Sequence, residues 1–375
     1  MTALFEPLTI NGMRLRNRMV RSATWEGMCD PDGRPTQKLV DYNAALAQGG
    51  IGLIVSGYTY VSPEGKQLPG KMGIYSDDFA DDFAQLTAGI HAAGGVVAIQ
   101  LVHAGGQADP NASGCEPVAP SAVQVDQFPK IPAQLSRDKI ATIIDNFGAA
   151  ARRAKQWGFD GVQLHGAHGY LINQFLSPLT NQRSDDYGGG IENRSRFLMQ
   201  VYDAVRRRVG DDYPLMIKLN AADNLEGGLE LHDALYAARM LDERGIDAIE
   251  VSSGTRVSGE LGPVRGKINA PAKEAYNLEV AQQIKAAVNC PVMVVGGFRS
   301  YDVAASAISE KGMDLIAFSR PLIRQPDLPA RWQSGNRETA ACISCSKCFL
   351  PGMQEGGIYC VVEKKLRQKA EKKQS

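Results

Sequence analysis

Eight short apolar segments recur along this chain of 375 residues, and helix-like segments separate most of them. Several are apolar without a break, as in VVAIQLV, PLMIKL and PVMVVGG. Such runs are typical of strands buried on both faces of a parallel sheet. The predicted strands span residues 18–25, 52–61, 95–103, 161–169, 214–221, 248–254, 291–297 and 315–323.

Segments with helical periodicity fill the gaps between these strands, and several of them end at a glycine, a common helix terminator. The predicted helices span residues 36–48, 77–93, 137–157, 192–209, 231–244, 273–288 and 301–311. The alternation predicts an α/β fold, a (β/α)8 TIM barrel. A doubly wound sheet is the alternative, but no G-x-G-x-x-G follows the first strand.

The predicted barrel domain covers residues 1–335, and residues 336–375 form a C-terminal extension with clustered cysteines and a basic tail. Residues 104–136 form a long loop of the kind that often covers a substrate. Lysine and arginine total 41, as do aspartate and glutamate, so net charge favours neither nucleic acid nor an anionic membrane as a partner. With no apolar run of about 18 residues and no apolar leader, we expect a cytoplasmic protein.

Unusual polar and small residues cluster where the predicted strands end. Active sites of TIM barrels lie at the C-terminal ends of the strands, so these residues are candidates for a common site. In strand order they are Ser22, Ala23, Thr24 and Trp25; Gly57; Gln100; His165, His168 and Tyr170; Lys218; Gly296 and Gly297; and Ser319 and Arg320.

A phosphate site is predicted after strands seven and eight, where such barrels often bind phosphate. Gly296 and Gly297 allow backbone N–H groups to approach a phosphate, and Arg320 can pair with it through two hydrogen bonds. The two glycines could also form only a turn. Lys218 stands in an apolar strand, so it needs either a negative partner or a route for its amine to the barrel mouth.

His165 and His168 precede Tyr170 in the segment HGAHGY. A metal site would need a third ligand, and none is evident nearby. We therefore favour neutral imidazoles that donate hydrogen bonds to a substrate oxygen. Tyr170 remains protonated at neutral pH, since a phenol has a pKa of about 10, and it is the candidate proton donor.

The segment HGAHGYLINQFLSPLTNQRSDDYGGGIENRSRF, with LRNRMVRSATWEG, IQLVHAGGQ and LIAFSRPLIRQPDLP, resembles the Old Yellow Enzyme family over about residues 4–335. The resemblance implies an FMN cofactor, NAD(P)H as electron donor and an activated C=C bond as acceptor. It implies that the flavin contacts Ser22, Ala23, Thr24, Gly57, Gln100 and Lys218, and that its phosphate contacts Gly296, Gly297, Ser319 and Arg320. Substrate would contact His165, His168 and Trp25, with Tyr170 as proton donor.

Cys342, Cys345, Cys348 and Cys360 resemble the iron–sulfur segment that follows the barrel in dienoyl-CoA reductases and trimethylamine dehydrogenase. Two residues separate Cys345 from Cys348, where those relatives usually have three. Four thiolates suit a [4Fe–4S] cluster or a Zn²⁺ ion, and free thiols are the third possibility.

The leading hypothesis is an ene-reductase that reduces the C=C bond of an α,β-unsaturated carbonyl, nitro or enoyl compound. One alternative is an amine or enol dehydrogenase that exchanges electrons with a partner protein through an iron–sulfur cluster. The other is a flavin-binding electron carrier without catalytic activity. We expect a small-molecule substrate, a homo-oligomer and, if a cluster is present, an electron-donor protein.

Overall fold

The computed structural model describes residues 3–374. Eight parallel strands form a closed ring, because each pairs with the next in the chain and the eighth pairs with the first. The predicted (β/α)8 TIM barrel is therefore confirmed. The strands are β1 (Met19–Arg21), β2 (Leu53–Val55), β3 (Val97–Val102), β4 (Gly161–Gly166), β5 (Leu215–Asn220), β6 (Ala248–Ser252), β7 (Val292–Val295) and β8 (Leu315–Phe318).

Seven main helices follow strands β1–β7 in turn and surround the ring, and an eighth follows β8. They are α1 (Gln37–Gln48), α2 (Ala80–Ala92), α3 (Arg137–Gln156), α4 (Arg196–Val209), α5 (Leu231–Glu243), α6 (Leu278–Lys285), α7 (Tyr301–Ser309) and α8 (Leu328–Gln333).

The predicted elements are mostly longer than the observed ones. The eighth strand was expected to reach residue 323, but it ends at Phe318 and a short helix, Arg320–Arg324, follows. Pro321 lies in the first turn of this helix, where a proline is well tolerated because the turn leaves its N–H groups unbonded. The helix predicted at 192–209 is divided in two by Ser195.

The barrel interior is apolar towards the N-terminal ends of the strands. A hairpin of Leu8–Ile10 and Met13–Leu15 closes this end. Its buried residues pack in one cluster with inward-facing strand residues, which are Val20, Leu53, Val55, Ala98, Met216, Ala248, Met293, Leu315 and Ala317. Closure of this end leaves only the C-terminal end of the barrel open for a ligand.

The loop predicted at 104–136 contains a short helix, Pro110–Ser113, and two short parallel strands, Val118–Ala119 and Ala133–Gln134. Only its start, at Gln107, lines the cavity described below.

The C-terminal extension packs on the barrel. The Ile358 N–H donates to the Glu26 carbonyl at 2.9 Å, and the Ala340 N–H donates to the Arg299 carbonyl at 2.9 Å. The basic tail forms the helix Val361–Gln374, of which residues 364–372 are exposed. Among residues 3–374, no helix is long and apolar enough to cross a membrane. The division of the chain at residue 335 stays a prediction.

Candidate active site

A cavity of about 490 Å³ opens at the C-terminal end of the barrel. This volume is within the range of about 300–1,000 Å³ that small-molecule sites occupy. Residues at or after the C-terminal ends of strands β1, β2, β3, β4, β6, β7 and β8 line it together with Lys218 of β5. Eleven of the fourteen predicted site residues are among the lining: Ser22, Ala23, Thr24, Trp25, His165, His168, Tyr170, Lys218, Gly297, Ser319 and Arg320.

Three predicted residues lie behind this wall: Gly57, Gln100 and Gly296. Gln100 is fully buried inside the barrel. A Cβ at Gly57 would collide with the buried carboxylate of Glu26, so packing against this side chain already explains the glycine. The Gly296 carbonyl accepts a hydrogen bond from the Tyr276 N–H at 3.2 Å.

A chain of hydrogen bonds forms the polar floor of the cavity. The Lys218 ammonium lies 3.1 Å from a Glu250 carboxylate oxygen and donates to Ser22 Oγ at 2.8 Å. Gln163 donates to the other Glu250 oxygen at 2.9 Å, and Gln100 donates to Gln163 at 2.6 Å. The negative partner that Lys218 requires is therefore present in the protein itself, as Glu250.

His165, His168 and Tyr170 converge on one side of the cavity. The ring centroids of His165 and His168 are 5.1 Å apart, and those of His165 and Tyr170 are 4.8 Å apart. His168 Nε2 lies 2.7 Å from Ser252 Oγ, and the Tyr170 hydroxyl donates to Gln67 Oε1 at 2.7 Å. No protein group within residues 3–374 hydrogen-bonds His165 Nδ1, although this atom is buried.

Both imidazoles are neutral at pH 7. Burial, with the neighbouring charge of Lys218, lowers the pKa of His168 to about 3. Burial, together with His168, Lys218 and Lys71, lowers the pKa of His165 well below its usual value. Burial also raises the pKa of Tyr170, so this phenol keeps its proton. The group can thus donate hydrogen bonds and a proton without carrying charge.

The opposite end of the cavity is basic. Arg299 and Arg320 both line it, beside Gly297. Arg320 donates to Ser346 Oγ at 3.0 Å, and no carboxylate of the described residues pairs with its guanidinium. Gly297 has a φ of +72°, and a Cβ there would come within 3.0 Å of the Tyr276 ring. This end can therefore accept the phosphate of a ligand.

The segment after β1 connects these two ends. Thr24 Oγ1 lies 2.5 Å from Ser319 Oγ, which fixes this segment against the one after β8. Beneath it, Arg21 and Glu26 form a buried ion pair at 3.0 Å. Burial raises the pKa of Glu26 to about 7, against the opposing influence of Arg21.

These residues fit the FMN that the resemblance implies. The cavity has a basic end for a phosphate, an apolar middle and a floor with an ammonium, where a flavin ring needs donors. The Gln100 Oε1 atom is buried without a protein partner among the described residues, as is His165 Nδ1, so further hydrogen-bonding capacity remains at the floor and the side.

The four clustered cysteines line a second, smaller pocket next to the basic end. Cys342 and Cys348 are buried, Cys360 is half-buried and Cys345 is exposed. Arg320 lines both this pocket and the main cavity. Within residues 3–374, no three side chains of cysteine, histidine or acidic type are arranged to hold a single metal ion.

Sequence reasoning missed several residues of the site. Glu250 lies in the apolar segment AIEVS and satisfies the same criterion that identified Lys218. Two further cavity residues carried no signal: Tyr58, which falls inside the second predicted strand, and Arg256, which stands in loop sequence. Neither did Phe349 and Met353 of the extension, which also line the cavity.

Comparison with known proteins gives the same assignment. The sequence model of the NADH:flavin oxidoreductase / NADH oxidase family matches residues 3–339. The chain is 37% identical over 348 residues to an NADH oxidase of Thermoanaerobacter brockii, covering 92% of this chain and 52% of that protein. It is 39% identical over 333 residues to an NADPH dehydrogenase of Bacillus pumilus (strain SAFR-032), covering 88% and 93% of the two chains.

Two solved structures have the same fold. A 2-naphthoyl-CoA reductase in complex with 2-naphthoyl-CoA has a TM-score of 0.88 and 28% identity, over 96% of this chain and 56% of that one. The old yellow enzyme homologue from Zymomonas mobilis has a TM-score of 0.78 and 30% identity, over 91% of this chain and 96% of that one. This chain spans about half the length of the NADH oxidase and of the 2-naphthoyl-CoA reductase.

The match over residues 3–339 includes the whole barrel and all the cavity residues that it contributes, whereas Ser344, Phe349 and Met353 of the lining lie beyond it. The chain therefore belongs to the NADH:flavin oxidoreductase / NADH oxidase family, and its fold is that of the old yellow enzyme homologues.

Proposed function

We propose that the protein is an ene-reductase, which reduces the C=C bond of an α,β-unsaturated carbonyl, nitro or enoyl compound at the expense of NAD(P)H. The observation that carries the proposal is the convergence of two neutral histidines and one protonated tyrosine on a single cavity. A carrier that only exchanged electrons would need no proton donor beside its cofactor.

Bound FMN supplies hydride transfer, first from the nicotinamide and then to the substrate carbon. Gly297, Ser319 and Arg320 would hold its phosphate, and Ala23 and Thr24 would border its ring. Lys218, held by Glu250, would face the part of the ring that becomes more negative on reduction. The same pair keeps the floor of the cavity close to neutral before reduction.

His165 and His168 donate hydrogen bonds to the carbonyl or nitro oxygen of the substrate and so polarise the C=C bond. Tyr170 then gives its proton to the carbon next to the polarised group. General acid catalysis of this kind contributes a factor of about 10²–10⁴ to the rate. Trp25, which also lines the cavity, would limit the size of the substrate.

The test is the Tyr170→Phe variant, with the two half-reactions followed separately by stopped-flow absorbance of the flavin. Reduction by NADPH or NADH should be nearly unchanged, because no proton from Tyr170 is needed. Reoxidation by cyclohexenone should slow by about 10²-fold or more, since the proton donor is lost. Equal losses in both half-reactions would contradict the assigned role, and absence of turnover in the wild type would favour an electron carrier.

A second candidate function is suggested by the cysteine pocket: electron exchange with a partner protein, in a dehydrogenase that oxidises an amine or an enol. All four thiols line one pocket beside Arg320, which also borders the main cavity. A single Zn²⁺ ion needs thiolates within about 2.3 Å of it, an arrangement that is not preformed here. A [4Fe–4S] cluster is larger, so its ligands stand further apart, and it is the group we propose for this pocket.

Iron, sulfide and zinc analysis of protein purified without oxygen tests the cluster. About four iron atoms and four sulfides per chain are expected, with loss of both in the Cys342→Ser variant. Zinc alone, or no metal, would contradict it. Rapid flavin reduction by NADPH or NADH favours the ene-reductase, and inertness towards both favours the dehydrogenase.

A further inference from the structure

Lys71 is a buried lysine to which none of the roles above is assigned. It lies in the loop that follows β2, and only 1% of its surface is exposed. No side-chain or backbone acceptor within residues 3–374 hydrogen-bonds its Nζ atom. An isolated buried ammonium is costly, so its retention requires an explanation.

The surroundings of the Lys71 ammonium are aromatic. Its Nζ atom lies 4.1 Å from the centroid of the Tyr58 ring and 5.4 Å from the centroid of the Tyr170 ring. The two rings are themselves 5.5 Å apart and inclined by 38°. Both distances are within the range of about 6 Å in which a cation is attracted to the face of an aromatic ring.

A positive charge near Tyr170 would stabilise this residue after it has lost its proton. Once it has given its proton to the substrate, it is a phenolate in a buried site, and burial is the main reason why the pKa of Tyr170 is raised. A cation over the ring face stabilises the phenolate more than the neutral phenol, because the phenolate ring is more negative. The free energy by which the phenolate is stabilised also makes the transfer of the proton from Tyr170 more favourable.

We propose that Lys71 is a positioning residue whose ammonium, held against the rings of Tyr58 and Tyr170, stabilises the phenolate that Tyr170 becomes after it protonates the substrate. This inference rests on the proposed role of Tyr170 as proton donor. Lys71 does not line the cavity, so it acts through Tyr170 and does not touch the substrate.

The other ionisable groups around this position are few. Tyr58 belongs to the loop after β2, His165 lies near the end of β4, and Tyr170 follows that strand. Glu26, after β1, and Arg256, after β6, act on the two tyrosines from further away. Burial lowers the pKa of Lys71 well below its ordinary value, so the ammonium is lost at a lower pH than that of an exposed lysine.

The experiment compares Lys71→Met with Lys66→Met. Lys66 is the control, since it lies in the same loop, is also buried, and donates to the Pro31 carbonyl at 2.6 Å near the Tyr60 ring. Flavin reoxidation is followed with cyclohexenone, which needs protonation at carbon, and with benzoquinone, which does not. A purely structural role for Lys71 would slow both acceptors together.

We expect Lys71→Met to slow reoxidation by cyclohexenone about tenfold or more while leaving reoxidation by benzoquinone unchanged. Lys71→Arg should recover part of the rate, and Lys66→Met should change the rate with neither acceptor.

In the wild type, the rate of reoxidation by cyclohexenone should fall as pH rises and the Lys71 ammonium is lost, and Lys71→Met should remove this dependence. Unfolding by denaturant should show Lys71→Met to be as stable as the wild type or more stable, because an unpaired buried charge is removed.

The double variant Tyr170→Phe with Lys71→Met separates this inference from the proposed function. If both hold, the double variant reacts no more slowly with cyclohexenone than Tyr170→Phe alone. If Tyr170→Phe slows the reaction and Lys71→Met does not, the role of Lys71 is overturned and the proton donor stands. If Tyr170→Phe has no effect, the proposed function itself fails.

Discussion

His168 lines the cavity and also has an unusual backbone conformation. Its φ of +61° is in the left-handed region, which non-glycine residues seldom adopt. This conformation accompanies the contact of its Nε2 atom with Ser252 Oγ, at 2.7 Å. Such strain is retained where the surrounding structure fixes it, often at functional sites.

The pKa of His168, at about 3, gives a prediction for binding and stability. The imidazole stays neutral throughout pH 5–8, so titration of this group should not change the affinity of the holoenzyme for cyclohexenone around pH 6.5. Because the folded-state pKa is lower than the unfolded value near 6.5, protonation favours unfolding. Stability from this group is fully present above pH 6.5 and is lost as pH falls towards 3.

Ligand titration monitored by flavin absorbance, and denaturant unfolding between pH 4 and 8, measure these two quantities. The His168→Asn variant should have a weaker loss of stability below pH 6.5 than the wild type. A step in wild-type affinity centred near pH 6.5 that the His168→Asn variant lacks would show that His168 titrates normally and would contradict the assignment, whereas a step that persists in the variant would belong to Glu26.

Lys218 was identified from the sequence, but its partner Glu250 was not. A lysine in an apolar strand predicts either a negative partner or a route for the amine to the barrel mouth. Its partner lies on the neighbouring strand, and the register of β5 with β6 places the two residues side by side. Sequence order separates them by 32 positions, so only the pairing of the strands shows that they meet.

At the scale of elements, the loop after β7 depends on backbone geometry that only glycine adopts readily. Gly297 has a φ of +72°, and a Cβ there would press on the Tyr276 ring at 3.0 Å. Gly312 has almost the same φ, +75°, but its Cβ would have open space, and it lies away from the cavity. Alanine variants at these two positions therefore distinguish the effect of backbone strain from the effect of a change in the binding site.

Gly297→Ala should weaken FMN binding by about tenfold or more, because about 1–2 kcal/mol of left-handed strain is joined by a shift of the loop that borders the phosphate. Gly312→Ala should lower the unfolding free energy by the same strain energy but leave the affinity for FMN unchanged. Fluorescence titration of the protein freed of FMN gives the affinity of each variant. Equal weakening in both would mean that general destabilisation, and not the site, is responsible.

For the whole molecule, the extension matters because it completes the wall of the cavity. Phe349 and Met353 line the cavity, and Gly352 packs against the Trp25 ring. Ile358 is almost fully buried. All eight barrel strands end before this segment begins.

A chain ending at residue 335 should therefore fold as a barrel, with an unfolding free energy about 2–3 kcal/mol lower, the value of burying one large apolar side chain. Its cavity should be wider, so the rate of flavin reoxidation by bulky enones should rise relative to the rate with cyclohexenone. Circular dichroism, denaturant unfolding and stopped-flow rates measure these properties. Ile358→Ala in the full chain is the control, since it weakens the packing but keeps Phe349 and Met353. Failure of residues 1–335 to fold would refute the predicted domain boundary.

The sequence by itself determined the barrel, its eight strands and the residues at their C-terminal ends, because these follow from local periodicity and from motifs that are contiguous in the chain. It also overextended strands: the eighth was continued to residue 323, although a helix replaces it from Arg320. Apolar composition does not distinguish a buried strand from a short buried helix.

Only the tertiary structure decided which side chains meet. It brought Glu250 to Lys218 and Lys71 to Tyr170, and it moved Gly57, Gln100 and Gly296 behind the cavity wall. Whether a lysine in a polar loop is buried depends on the neighbours that close over it. Those neighbours come from distant parts of the chain, and closure of the barrel alone makes them adjacent.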